Sequence, residues 1–252
     1  MQFLDLTLPT PAENVALDEA LLDEAELDEA QHYEAYRGSA PRETLRLWEP
    51  EQTMVVVGRS SRVAEEVNVD RCRAEGVPIF RRSSGGAAIV AGPGCLMYSV
   101  VLSYHLRPHL RMLDEAHRFV LELNKAAIAP LRAGIELCGT SDLAIAGRKF
   151  SGNSLRCKRG HLLYHGTLLV DFPLPRVEEL LGAAPRQPEY RARRTHSEFL
   201  TNLHVSTERL RDALIAAWQA NVPRSDWPQS STKALVSERY GTDAWNLRGT
   251  TA

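Results

Sequence analysis

Residues 147–171 read GRKFSGNSLRCKRGHLLYHGTLLVD. Gly147 opens the stretch and Arg159-Gly160 divides it, and the runs on either side have strand length, so the segment reads as a hairpin. Just upstream, IELCGTSDLAIA (135–146) adds short strands turned at Gly139 and Gly147. Lys149 is the odd residue, because it sits between a glycine turn and a run that looks buried. It is either a solvated charge at a turn or a charge aimed at an anionic ligand.

Outward from this hairpin, QFLDL (2–6) reads as a short strand. PTPAENVALDEALLDEAELDEAQ (9–31) reads as an amphipathic helix starting near Pro11, its acids forming a solvated outer face. ETLRLWEP and TMVVVGRS (43–60) are predicted strands around a proline turn, and AEEVNVDRCRAEG (64–76) a helix ended by Gly76. VPIFRRSSGGAAIVAGPGCLMYSVVLS (77–103) suggests two strands joined through a tight passage of small residues. The helix over 112–134 is the clearest in the chain, and two more follow near 206–221 and 230–241. Strands in hairpin-like succession with helices in blocks predict an α+β fold, with mixed, largely antiparallel sheets flanked by helices, as one domain over residues 1–252.

The totals exclude several classes of function. A composition 44% hydrophobic and 25% charged is that of a globular core-forming chain, and a net charge of −2 gives no overall drive toward nucleic acid or an anionic membrane. Any phosphate site is therefore local. No apolar run approaches the ~20 residues needed to span a bilayer. Cys72, Cys95, Cys138 and Cys157 are scattered without a CxxC pair, so reduced thiols and a cytoplasmic location are expected.

RRSSGGAAIVAGPG (81–94) places Arg81 and Arg82 before Ser84, Gly85, Gly86, Ala87 and Ala88. Small residues let a ligand lie on the backbone, where N–H groups and a guanidinium can hold phosphate oxygens; a plain glycine-rich turn fits the same residues. Neither the P-loop pattern nor GxGxxG is present. Asp142 begins a strand and could simply cap a turn. His165, in YHGTLL, is as readily a packing residue as a catalyst.

Taken together, ENVALDEALL, LRLWEPEQTMVVVGRS, RRSSGGAAIV, SDLAIAGRKFSGNS, YHGTLLVD and THSEFLTNL resemble, in order, the catalytic domain of the lipoate–protein ligase A family, within the biotin/lipoate ligase and octanoyltransferase superfamily. The resemblance implies a core related to class II synthetases and biotin ligases. It also implies ATP-dependent activation of lipoate or octanoate as an acyl-adenylate, then transfer to a lysine of a lipoyl carrier domain. By matched position, Lys149 corresponds to the essential lysine and Arg82 to a phosphate-contacting arginine. Ser84, Gly85, Gly86, Ala87, Ala88, Ile89 and Val90 fall on the segment lying along nucleotide and acyl group, with Leu143 a further candidate for the acyl tail. Asp142 matches an acidic residue near Mg²⁺ and phosphate, and His165, Gly166 and Thr167 match the family's HHGTL.

The chain departs from the family pattern at Ala87, at AGPGC in place of a histidine–aspartate pair, at Ser141 and at Tyr164. The family's usual C-terminal accessory domain is not expected within these residues, so either a separate small protein replaces it or residues 173–195 cover the site. Two alternatives stay open. One is an ATP-independent octanoyl or lipoyl transferase working through a thioester on Cys138 or Cys157; the other is a non-catalytic lipoate- or carrier-binding protein.

Overall fold

The computed structural model describes residues 1–35, 42–182 and 187–249. In chain order the elements are β1 (Gln2–Asp5), α1 (Pro11–Ala35), β2 (Thr44–Trp48), β3 (Met54–Val57), α2 (Val63–Glu66), α3 (Val69–Ala74), β4 (Ile79–Arg81), β5 (Ile89–Ala91) and β6 (Cys95–Ser103). Then follow α4 (Leu113–Ile128), β7 (Ile135–Cys138), β8 (Asp142–Ile145), β9 (Arg148–Cys157), β10 (His161–Leu169), α5 (Pro175–Leu180), α6 (His196–Phe199), α7 (Thr207–Ala217), β11 (Val222–Pro223), α8 (Gln229–Leu235) and α9 (Asp243–Asn246).

The described strands form an eight-stranded sheet in the order β11-β1-β2-β6-β10-β9-β8-β7 and a three-stranded sheet β4-β3-β5. In the large sheet only β11–β1 and β1–β2 pair in parallel; every other pair is antiparallel. This is the mixed, largely antiparallel α+β fold expected. The central strands are buried on both faces, and alternation sorts their side chains into two cores. On β10, Leu163 packs with α1 and the small sheet, whereas Leu162 and Tyr164 pack with α4 and α7.

Three local expectations need revision. The acids of α1 do not all form a solvated face: residues 14–22 are buried without interruption, including Asp18 and Glu19. A helix packed on several sides buries its polar positions too, and each then needs a partner. Segment 64–76 is two helices, because Val67 turns extended to bridge Leu181 and Asn68 caps α3 by accepting from the Arg71 N–H at 3.1 Å. Segment 77–103 holds three strands, two in the small sheet and the third, β6, in the large one. The two strands expected around the proline turn at Pro50 do form, as β2 and β3, and they belong to different sheets.

Candidate active site

The hairpin β9–β10 does form, and its pairing aligns Gly152 with Thr167 and Asn153 with Gly166. Between β8 and β9 the ladder slips: Ala144 pairs with Lys149 and Leu143 with Ser151, leaving Phe150 as an extra residue. Such a bulge re-aims the side chains around it. Phe150 is fully buried beside Leu143 in the core under the sheet, while Lys149 stands on the other face, 24% exposed. Its ammonium lies 2.8 Å from Asp142 Oδ1. Gly152 makes room for it, since a Cβ there would fall 2.5 Å from Lys149 Nζ.

Two open cavities, of about 810 and 760 Å³ counting the space open to solvent, meet at this pair of strands. Lys149, Gly152, Thr167, Ala87, Ala88 and Ile89 line both. The first runs between Val15, Trp48, Met54, Val56 and Met97, with Asp142, Asn153 and His165 along its polar side. The second is walled by Leu169, Val177, Leu181 and Phe199, with Arg191 and His196 at its edge. The structure thus brings together Lys149, Asp142, Arg82, Gly86, Ala87, Ala88, Ile89, His165, Gly166 and Thr167 around the first cavity, and Val90 around the second. Ser84 and Gly85 line neither, and Leu143 packs in the core on the opposite face of the sheet.

The loop 82–88 is held from several sides. Arg82 is buried and donates to the carbonyls of Val56 at 3.1 Å, Gly85 at 2.5 Å and Ala87 at 3.0 Å, and to Ser84 Oγ at 3.2 Å. Burial lowers its pKa to about 10, with the Glu66 carboxylate acting in the opposite direction. Glu66 accepts from the Ala88 N–H at 2.8 Å, so this backbone donor, expected for a phosphate, is held by a protein carboxylate. Gly86 adopts φ +90°, a conformation natural only to glycine.

Beneath the loop lies a network that the sequence did not suggest. His165 Nδ1 is 2.9 Å from Asp18 Oδ2, and Nε2 is 2.5 Å from Ser84 Oγ. Asp18 also accepts from Arg46 at 2.8 Å and from Ser99 at 2.9 Å. Burial alone would push the Asp18 carboxyl up, but the His165 hydrogen bond, the Arg46 charge and Ser99 together hold it below its ordinary value. Asn153 is a second unforeseen member. It accepts from the Tyr98 hydroxyl at 2.6 Å and donates to the Ser141 carbonyl at 2.8 Å, tying the turn before Asp142 to β6. Gly166 stands opposite and leaves room for it, since a Cβ there would collide with Asn153 Oδ1.

Of the thiols, Cys138 closes β7 opposite Asp142. Burial, then Glu136 and Asp142, push it up rather than toward the thiolate. Cys157 lies eight residues along β9 from Lys149, roughly 25 Å at strand spacing. Among the described residues no three His, Cys, Asp or Glu side chains cluster to hold a metal, and no helix is long and apolar enough to cross a membrane.

Known proteins share this fold. A solved structure of the bipartite lipoate protein ligase of Thermoplasma acidophilum with its E2 lipoyl domain superposes over the whole chain, and over 98% of its own, with a TM-score of 0.77 at 22% identity. An Aeropyrum pernix protein assigned as a lipoate-protein ligase A is 32% identical over 219 residues, 86% of this chain and 74% of its own. The octanoyltransferase LipM of Symbiobacterium thermophilum is 28% identical over 94% of both chains. In five ligase relatives the sequence match spans between 40% and 74% of their length. The model of the lipoyl protein ligase A/B catalytic domain matches residues 10–219, and the chain belongs to that family.

Proposed function

We propose that the chain is an ATP-dependent lipoate–protein ligase, activating lipoate or octanoate and transferring the acyl group to a lysine of a lipoyl carrier domain. The observation that carries this reading is the position of the Lys149 ammonium at the junction of two cavities. The first, an apolar slot between Trp48, Met54 and Met97, suits an acyl chain. The second, with Arg191, His196 and Phe199, suits a nucleotide base and ribose.

In the first step a carboxylate oxygen of the acid forms a bond to the α-phosphorus of ATP, and pyrophosphate leaves with the electrons of the broken P–O bond. In the second, the free amine of the carrier lysine attacks the acyl carbonyl, AMP leaves, and the amine's proton is lost. Both steps concentrate negative charge on oxygens between the cavities. The Lys149 ammonium, preset by Asp142 and by the space over Gly152, stabilises that charge in the transition state, where one such donor contributes about 3–4 kcal/mol. Arg82, with its donors on loop carbonyls, shapes the backbone of 85–88 against the ligand; meeting a phosphate itself would require the loop to release it. Asp142, a single hard-oxygen ligand at the cavity wall, fits a Mg²⁺ held mainly by phosphate oxygens, and the ion would supply charge neutralisation there.

The LipM relative, matched over 94% of both chains, supports a second reading: ATP-independent transfer through a Cys138 thioester. The raised Cys138 thiol weighs against it. Pyrophosphate exchange run separately with lipoate, octanoate and biotin tests the ligase. An acyl thioester seen by intact mass without ATP would favour the transferase instead.

A further inference from the structure

Asp142 has two carboxylate oxygens, and a different part of the chain donates to each. Lys149 lies on Oδ1 at 2.8 Å, and the Tyr190 hydroxyl donates to Oδ2 at 2.7 Å. Tyr190 comes from the segment after α5, 48 residues away, and nothing in the local sequence links it to the site.

The contact is built in rather than incidental. Gly139, at φ +56°, lies under the Tyr190 ring, and a Cβ there would sit 3.3 Å from both Tyr190 Cε1 and Pro188 Cβ. The ring also meets Phe199, with centroids 5.1 Å apart. Arg194 clasps the backbone on both sides, donating to the Tyr190 carbonyl at 2.9 Å and to the Gly147 carbonyl at 2.8 Å, in the turn that leads into Lys149. Further on, the Thr201 N–H donates to the Lys149 carbonyl at 2.9 Å.

We propose that Tyr190 is a positioning residue: by fixing Oδ2 of Asp142 it turns Oδ1 toward Lys149 and so aims the ammonium at the junction of the two cavities. Its neighbours Pro188 and Arg191 wall the second cavity, so the same segment that shapes the proposed nucleotide site also sets the direction of the charge between the sites. The catalytic consequence rests on the ligase reading above; the aiming of Lys149 does not.

The test uses Tyr190→Phe, which keeps the ring on Phe199 and over Gly139 and removes only the hydroxyl. Labelling of the intact protein with an amine reagent, mapped by peptide mass spectrometry, reads Lys149 directly, with Lys125 and Lys158 as internal references. In the variant Lys149 labels several-fold faster relative to the references. In lipoate-dependent pyrophosphate exchange kcat falls about tenfold, the lower end of what a hydrogen bond to a charged group carries, with KM for acid and ATP unchanged. Equal Lys149 labelling in wild type and variant overturns the proposal, and so does a change in KM alone, which would mark Tyr190 as part of the cavity wall only. If the wild type shows no exchange with any acid, the ligase reading fails, and the labelling result still decides whether Tyr190 aims Lys149.

Discussion

Substituting Gly152 with alanine separates the site's geometry from the fold's stability. The new Cβ would lie 2.5 Å from Lys149 Nζ and 2.6 Å from Cε, but 3.9 Å from Asp142 Oδ1. Ordinary contact between non-bonded heavy atoms needs ~3.5 Å, so the ammonium must retreat by about 1 Å. What gives way is the free end of a flexible side chain, so the fold loses about 1 kcal/mol through a strained rotamer. In a chain of this size that lowers Tm by about 2–4 °C. Turnover suffers far more, because a misplacement of about 1 Å in a charge that stabilises the transition state costs about 100-fold. The assay is pyrophosphate exchange with lipoate beside carrier modification by mass spectrometry, with a thermal melt on the same preparation. Near-wild-type turnover in Gly152→Ala would refute the claim that this glycine exists to seat Lys149. A collapse of Tm by tens of degrees would show it to be a folding glycine instead.

Three other outcomes are expected. Lys149→Ala keeps a cooperative melt, because its side chain is partly exposed, and lowers adenylate formation by at least about 100-fold; normal carrier modification would sink the assignment. Cys138→Ser and Cys157→Ser, singly and together, retain most activity, since a ligase needs no enzyme thioester; loss in Cys138→Ser together with an ATP-independent acyl adduct on wild type would move the conclusion to transfer. Asp18→Asn strands the buried Arg46 and costs about 3–5 kcal/mol at neutral pH. Because the folded-state pKa of Asp18 is held below its ordinary value of 3.8, its contribution is complete above that value and fades as pH falls through the folded pKa. Denaturant titrations of wild type and variant should therefore converge only in acid, and a gap that stays constant down to the acid limit would contradict the network.

Much of the sheet was legible because strands, turns and small-residue runs act over a few residues. Gly147, the Arg159-Gly160 turn and the strand-length runs on either side mark the hairpin in the sequence itself, and the hairpin formed where those signals placed it. The order of Asp142 and Lys149 was also local enough to read, since neighbouring strands of one meander bring them together, whereas Gly152 lies within β9 and its part in seating Lys149 was not legible. The bulge at Phe150 was not, because it depends on which register lets Phe150 join Leu143 in the core while Lys149 faces the cavities.

The sequence by itself determined the class of fold and the cluster of residues on adjacent strands, because hydrophobic period and turn chemistry are properties of short stretches. It misjudged Asp18 and Glu19: charges in an acidic run look solvated until a helix is packed on several sides. Burial then draws Arg46 and His165 to Asp18, and Arg239 and Tyr240 to Glu19. Tyr190 on Asp142, Glu66 on Ala88 and Asn153 between Tyr98 and Ser141 were decided only by the tertiary structure. Each joins groups from separate elements, and a buried hydrogen-bonding group is satisfied by whatever the fold brings within 3 Å, which no local pattern encodes.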